Sequence, residues 1–127
     1  MKSVIIDTNF LLVPHQFGIN IIEQLERLIE VPHEMVVSSA IIHELNGIAK
    51  NRGKTGAAAR VALQAVEKKR IRCIESQEKD ADTWIMAYCS ENPGTIVCTN
   101  DVELKHKLKG LTVRIVVMRN RARISWG

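Results

Sequence analysis

Aromatic side chains are scarce in this chain, 4% of its 127 residues, and it has only three cysteines and three prolines. Few aromatics leave few platforms on which bases can stack. An odd number of cysteines with no Cys-x-x-Cys spacing fits neither a disulfide framework nor a structural zinc site. Cys73, Cys89 and Cys98 each lie in an apolar run and are expected as small buried residues in a reducing cytoplasm. Every long apolar run is broken by a charge, as in Val4-Ile5-Ile6-Asp7, so no membrane span is expected. The apolar residues between Ser3 and Asp7 are too few for a signal peptide. Repeats, low-complexity stretches and Pro- or Ser-rich linkers are absent. Residues 1–127 are therefore expected as one domain with a short basic tail at 119–127.

The hydrophobic (46%) and charged (25%) fractions are those of an ordinary globular protein, which excludes wholesale disorder. A chain of this length buries roughly two-thirds of its unfolded surface, enough for one core. The net charge is +4, and Arg119, Arg121 and Arg123 carry most of the excess. A basic balance favours a polyanionic partner.

Short β-branched runs alternate with segments of helical period. Strands are expected at Ser3–Ile6, Met35–Ser38, Arg72–Glu75, Thr95–Cys98 and Val113–Val117. Helices are expected at Gly18–Ile29, Ser39–Lys50, Thr55–Lys69, Asp82–Glu91 and Val102–Leu108. That order predicts an α/β fold, a three-layer α/β/α arrangement around a mainly parallel sheet. Such sheets carry their sites at the carboxyl ends of the strands.

Those ends repay inspection. The first strand stops at Asp7-Thr8-Asn9 and the fourth at Thr99-Asn100-Asp101. Two helices also carry acids on their apolar stripes. Glu44 falls between Ile41, Leu45 and Ile48 in the helix that Ser38-Ser39 would cap. Asp82 heads the stripe of Ile85, Met86 and Cys89, with Asp80 as the better N-cap. An unpaired carboxylate at such a position costs several kcal/mol, so Glu44 needs a partner.

If the four acids converge, two carboxylates about 5 Å apart repel by roughly 3 kcal/mol at an effective dielectric near 20. A hard divalent cation relieves that repulsion, and all-oxygen ligands point to Mg²⁺ or Mn²⁺ rather than zinc. The histidines supply no metal-ligand spacing. His43 points off the face of Glu44, His15 and His33 follow prolines in expected loops, and His106 sits among lysines. Gly53-Lys54-Thr55 lacks the spacing and the preceding strand of a phosphate loop, and a helix C-cap accounts better for Gly53. An aspartyl-phosphatase reading of Asp7-Thr8-Asn9 lacks the second acid two residues on.

Together, Val4-Ile5-Ile6-Asp7-Thr8-Asn9, Glu44 after Ser38-Ser39, Asp82-Thr83-Trp84-Ile85 and Thr99-Asn100-Asp101 resemble the four acidic motifs of PIN domains. Order, spacing and length match across essentially the whole chain. Asp7-Thr8-Asn9-Phe10 and Thr99-Asn100-Asp101-Val102-Glu103-Leu104 look closest to the Fcf type, linked to small-subunit ribosomal RNA processing. Glu103 stands where some members carry a further Asp. The chain also resembles VapC toxins of toxin–antitoxin pairs.

The resemblance implies a metal-dependent endoribonuclease acting on single-stranded or looped RNA, and leaving a 5′-phosphate and a 3′-hydroxyl. It implies Asp7, Glu44, Asp82 and Asp101 as catalytic residues, with Asp7, Asp82 and Asp101 as metal ligands. Thr8, Asn9, Thr99 and Asn100 are the candidates for orienting those carboxylates. Lys50, Arg52 and Lys54, and then Lys105, Lys107 and Lys109, are the cations placed to meet RNA phosphates. A PIN-like module that binds RNA or protein without cutting is the rival reading, and the presence of all four acids speaks against it. Partners implied are RNA, a second copy of the chain, and a ribosome-assembly factor or antitoxin. The tail, which ends in Ile124-Ser125-Trp126-Gly127, would extend the RNA surface, dock a partner or complete a homodimer.

Overall fold

A computed structural model describes residues 1–17, 20–78, 80–120 and 123–127. In chain order the elements are β1 (Lys2–Ile6), α1 (Thr8–Phe17), α2 (Ile21–Leu28), β2 (His33–Ser38), α3 (Ser39–Ala49) and α4 (Lys54–Lys68). There follow β3 (Arg72–Ile74), α5 (Ala81–Glu91), β4 (Thr95–Cys98), α6 (Val102–Leu108), β5 (Val113–Arg119) and β6 (Arg123–Trp126). The strands form one sheet in the order β3-β2-β1-β4-β5-β6, parallel throughout except for the antiparallel pair β5 and β6. Helices cover both sides, as the alternation of periods predicts.

The central strands are apolar because both of their faces are covered. Val4, Ile5, Ile6, Val36, Val37, Val97 and Cys98 are fully buried. Each such side chain of Val or Ile size contributes about 1.5–3 kcal/mol relative to exposure. Register follows from that burial: Val4 pairs with Met35 on one side and Ile96 on the other, and Ile6 pairs with Cys98.

Side chains of the expected types start most helices. Asn20 caps α2 by accepting from the Glu23 amide, Ser38 caps α3 by accepting from Ile41, and Asp80 caps α5 by accepting from Thr83. Helix α4 is different, because it starts at Gly53 with φ +88°, a conformation that favours glycine. Gly53 is thus the N-cap of α4 and not the C-cap of the helix before it. Gly56, Ala58, Ala59 and Ala62 give α4 a buried face of small residues, which packs on α3 and α1. A Cβ on Gly56 would collide with the Asn51 carbonyl, so only glycine lets the α3–α4 turn close this tightly.

Several expectations are corrected. The segment after Asp7 is helix α1, Pro14 included, so His15 lies in a helix and not in a loop. The Leu11 amide bonds the Asp7 carbonyl and starts that helix directly on the strand end. His33 opens β2, with Nδ1 2.8 Å from the Val31 carbonyl. Cys73 is exposed, since β3 is a three-residue edge strand paired only with β2, whereas Cys89 and Cys98 are buried as expected. Residues of the expected basic tail are strands: Arg119 ends β5 and Arg123 begins β6. Gly18, the expected start of the first helix, and Arg121 lie outside the described residues. Strand β6 leaves a free edge that α2 partly covers, the Ile124 amide donating to Gln24 Oε1. No helix among the described residues is long and apolar enough to cross a membrane.

Candidate active site

The sheet order reverses direction between β1 and β4, because β1 leads to β2 and β3 on one side and β4 leads to β5 on the other. At such a switch point the loops part and leave a crevice beyond the carboxyl ends of the strands. Asp7 directly follows β1, and Asp101 lies three residues past the end of β4. The ladder continues one step past each strand, with the Asp7 amide bonding the Cys98 carbonyl at 3.0 Å and the Thr99 amide bonding that of Val116 at 3.0 Å. Both strand ends are thereby fixed relative to each other.

Asp7 is only 3% exposed. Its Oδ1 accepts from the Thr8 amide at 2.9 Å and its Oδ2 from the Thr99 hydroxyl at 2.8 Å. The same hydroxyl accepts from the Asp101 amide at 3.0 Å, so Thr99 links one acid to the backbone of the other. Burial pushes the Asp7 carboxyl above its usual range, more than the bonds from Thr99 and Thr8 draw it down. The charges of Asp82 and Glu44 add to the rise.

Glu44 faces inward from α3, as its place on the apolar stripe requires. Its Oε1 accepts from the Thr8 hydroxyl at 3.3 Å and its Oε2 from the Ala81 amide at 3.2 Å. Among the described residues no Lys or Arg pairs with it. Neutral donors from α1 and from the first turn of α5 satisfy it instead, and it ties three helices together at the crevice.

Asp82 sits in the first turn of α5 and is half-buried. Burial raises its carboxyl, the Asp101 charge raises it further, and the Lys107 ammonium partly opposes both. Asp101 caps α6 through Oδ1, which accepts from the Leu104 amide at 3.2 Å. Asp80 is held below its usual range by the Thr83 hydroxyl at 2.7 Å and the Thr83 amide at 3.1 Å. It caps α5 as expected, yet it also lines the crevice.

One cleft of about 300 Å³ unites Asp7, Thr8, Asn9, Glu44, Asp80, Ala81, Asp82 and Asp101. All four acids singled out in the sequence are present, and so are Thr8 and Asn9. Thr99 acts from behind the wall, through Asp7 and Asp101. Asn100 turns away: its amide donates to the Met118 carbonyl at 3.3 Å and its Oδ1 accepts from the Met118 amide at 2.8 Å, which extends the sheet. The Lys107 charge reaches Asp80 and Asp82. Lys105 is half-buried on the same helix, and Lys109 is exposed just past it. Lys50, Arg52 and Lys54 are exposed where α3 turns into α4, a turn braced by Arg60 through the Ala49 carbonyl at 2.7 Å. Glu103 is exposed and adds slightly to the rise of Asp82. The Ala81 amide was not legible in the sequence, because backbone donors carry no residue-type signal.

Among the described residues, no three Asp, Glu, His or Cys side chains are drawn close enough to hold one ion between them. The lining is nonetheless carboxylate oxygen, the donor type that hard divalent cations take. Each oxygen that accepts one bond keeps a second lone pair.

The chain is similar to known proteins over most of its length. The chain is 34% identical over 124 residues to Ribonuclease VapC4 of Methanocaldococcus jannaschii, covering 95% of this chain and 93% of that one. The structure of the PIN domain endonuclease Utp24 superposes with a TM-score of 0.80 at 27% identity, over 98% of this chain and 90% of that one. A domain of a functionally unknown protein from Methanocaldococcus jannaschii shares the fold, with a TM-score of 0.61 at 17% identity over 94% of both chains. Residues 4–121 match the family described as PIN like domain. With four acids from β1, α3, α5 and the β4–α6 junction facing one cleft, and that match spanning nearly all of it, the chain belongs to the PIN-like domain family.

Proposed function

We propose that this protein is a metal-dependent endoribonuclease that hydrolyses phosphodiester bonds in single-stranded or looped RNA. The observation that carries the reading is the convergence of Asp7, Glu44, Asp82 and Asp101 in one cleft at the switch point of the sheet. Two of these carboxyls are destabilised as anions by burial and by their neighbours' charge. That is a surplus of negative charge which a cation, and not an internal base, is placed to neutralise. The names of the relatives, a ribonuclease and an endonuclease, support the same reaction class.

In this reading Asp7, Asp82 and Asp101 would hold Mg²⁺ or Mn²⁺, and Glu44 would complete the site. When bound, such an ion stabilises charge on the phosphate oxygens and makes a coordinated water more acidic. The chain's own residues do the positioning. Thr99 and the Thr8 amide fix both oxygens of Asp7, and Thr99 also sets the Asp101 backbone. Thr8 and Ala81 aim Glu44. Lys107, and then Lys105 and Lys109, meet the incoming phosphates, with Lys50, Arg52 and Lys54 across the α3–α4 turn.

The test is cleavage of a labelled structured RNA with single-stranded loops, in Mn²⁺, Mg²⁺ or EDTA, with Asp7→Asn alongside. Cutting that needs both metal and Asp7 is expected. Cutting that survives EDTA or the substitution would overturn the assignment. Two cellular roles fit this chemistry. The likeness to Fcf-type motifs supports ribosomal RNA processing, and the VapC-named relative supports a toxin ribonuclease in the cytoplasm with an antitoxin partner. Growth arrest on expression, relieved by a neighbouring small gene, favours the second. Accumulation of ribosomal RNA precursors on deletion favours the first.

A further inference from the structure

Another cavity, of about 730 Å³, is separate from the carboxylate cleft. It lies at the opposite edge of the sheet, where β1, β4 and β5 begin and α2 ends. Lys2, Arg27, Glu30, Ile96, Arg114 and Trp126 are among the residues that line it. This corner of the sheet stays open: helix α2 packs against β6 and ends at Leu28, and at the start of β5 Val113 is half-buried and Arg114 exposed.

The residues in that corner are unusual for a sheet face. Arg114 pairs with Ile96, which pairs with Val4, so it continues a row whose other two members are buried. Its guanidinium lies over the Trp126 ring, 3.6 Å from the centroid, and the residue is exposed. The Lys2 ammonium lies against Gly94, where a Cβ would collide with it. Arg27 is paired with Glu23, but among the described residues neither Lys2 nor Arg114 meets a carboxylate. The cavity therefore combines an apolar floor, a flat cationic plane backed by an indole and two unneutralised charges. A flat ring joined to an anion satisfies all three, the ring on the guanidinium plane and the anion between the cations.

We infer that this cavity is a second nucleotide-binding site, taking one base and its phosphate from RNA whose scissile bond lies at the carboxylate cleft. The identity of the polymer rests on the proposed nuclease reading; the chemistry of the cavity does not. The site would anchor the strand about 16 Å from the reaction, the length of β1.

The experiment measures binding by the full chain in EDTA, where metal-dependent cutting is silent. The probes are a fluorescent single-stranded RNA of about 16 nucleotides, AMP as competitor, and poly-glutamate as a competing polyanion without rings. Arg114→Glu and Lys2→Glu are each expected to weaken RNA binding about tenfold, and to lower the salt dependence by about one phosphate contact. Arg114→Lys, which keeps the charge and loses the plane, is expected to fall between. Displacement by AMP assigns the site to any nucleotide, and displacement by RNA alone assigns it to the polymer; either supports the proposal. Unchanged binding by folded Arg114→Glu and Lys2→Glu overturns it, as does the absence of RNA binding in the wild type. Displacement by poly-glutamate without AMP overturns it in favour of an acidic protein. The nuclease reading fails separately, by absent cleavage in Mn²⁺ while these binding results stand.

Discussion

At the carboxyl end of the sheet, Asp7 is 3% exposed and both of its oxygens are hydrogen-bonded, and Glu44 likewise bonds through both. At the amino end, Lys2 and Arg114 are exposed, with no carboxylate partner among the described residues. The same parallel strands thus deliver acids to one edge and bases to the other. The difference in order follows from solvation. A carboxylate withdrawn from water needs donors in fixed positions, whereas an ammonium or guanidinium still in water needs none until a ligand arrives. The first edge is built to hold its charges in place, and the second to receive charge from outside.

Breaking that contrast at its strongest point has the largest expected effect. Asp7→Asn is expected to lower metal-dependent cleavage by roughly three orders of magnitude. Its melting temperature in EDTA should not fall, because an anion that burial disfavours has been removed. Cleavage assays and thermal melts on the same preparation check both halves. Thr99→Val comes next, since it removes a hydroxyl that donates to Asp7 and accepts from Asp101. A loss of about 10–100-fold in cleavage is expected, with about 1–3 kcal/mol of stability. Thr99→Ser should recover most of the activity; if it does not, the hydroxyl is not what matters.

At the other edge, Arg114→Glu should raise KM for a long RNA about tenfold with kcat largely kept, the signature of uniform binding. Steady-state kinetics on long and short substrates sharpen the comparison, because a short RNA that spans only the cleft should not notice the change. The smallest effect is on stability against pH. Asp7 and Asp82 have folded-state pKa values above the usual 3.8, so the folded protein binds more protons than the unfolded chain in that interval. Their contribution is fully present below that usual value and is lost as pH rises through the raised ones. Denaturant titrations in EDTA should therefore show these two groups lowering stability from acid toward neutral pH, a decline that Asp7→Asn reduces. Added Mn²⁺ should recover it at neutral pH if the ion binds where proposed.

Much of the carboxylate edge was legible beforehand. Glu44 and Asp82 could be read as inward-facing from helical periodicity alone, and Ser38 and Asp80 as caps from their position before apolar stripes. Other features left no local trace. Helix α1 was masked by Pro14, which lowers helix propensity yet is carried here by a helix that starts on the Asp7 carbonyl. The basic end looked like a solvated tail, because Arg119 and Arg123 contribute charge to a strand pair without interrupting its alternation. Asn100 has the residue type of a carboxylate positioner, but its amide found a backbone that only folding brings near.

The sequence by itself determined most of the strands and helices, α1 and β6 excepted, which acids avoid open solvent, and that carboxylates dominate the cleft. These follow from periodicity, capping and side-chain chemistry, which act over a few residues. Tertiary structure decided that β1 and β4 lie side by side, which puts Asp7 and Asp101 at one switch point, although more than ninety residues separate them in the chain. It also decided that Thr8 and Ala81 share Glu44, and that Arg114 falls over Trp126. Strand order and the meeting of side chains from distant segments are properties of the packed whole, settled by which apolar faces bury each other, and no local pattern encodes them.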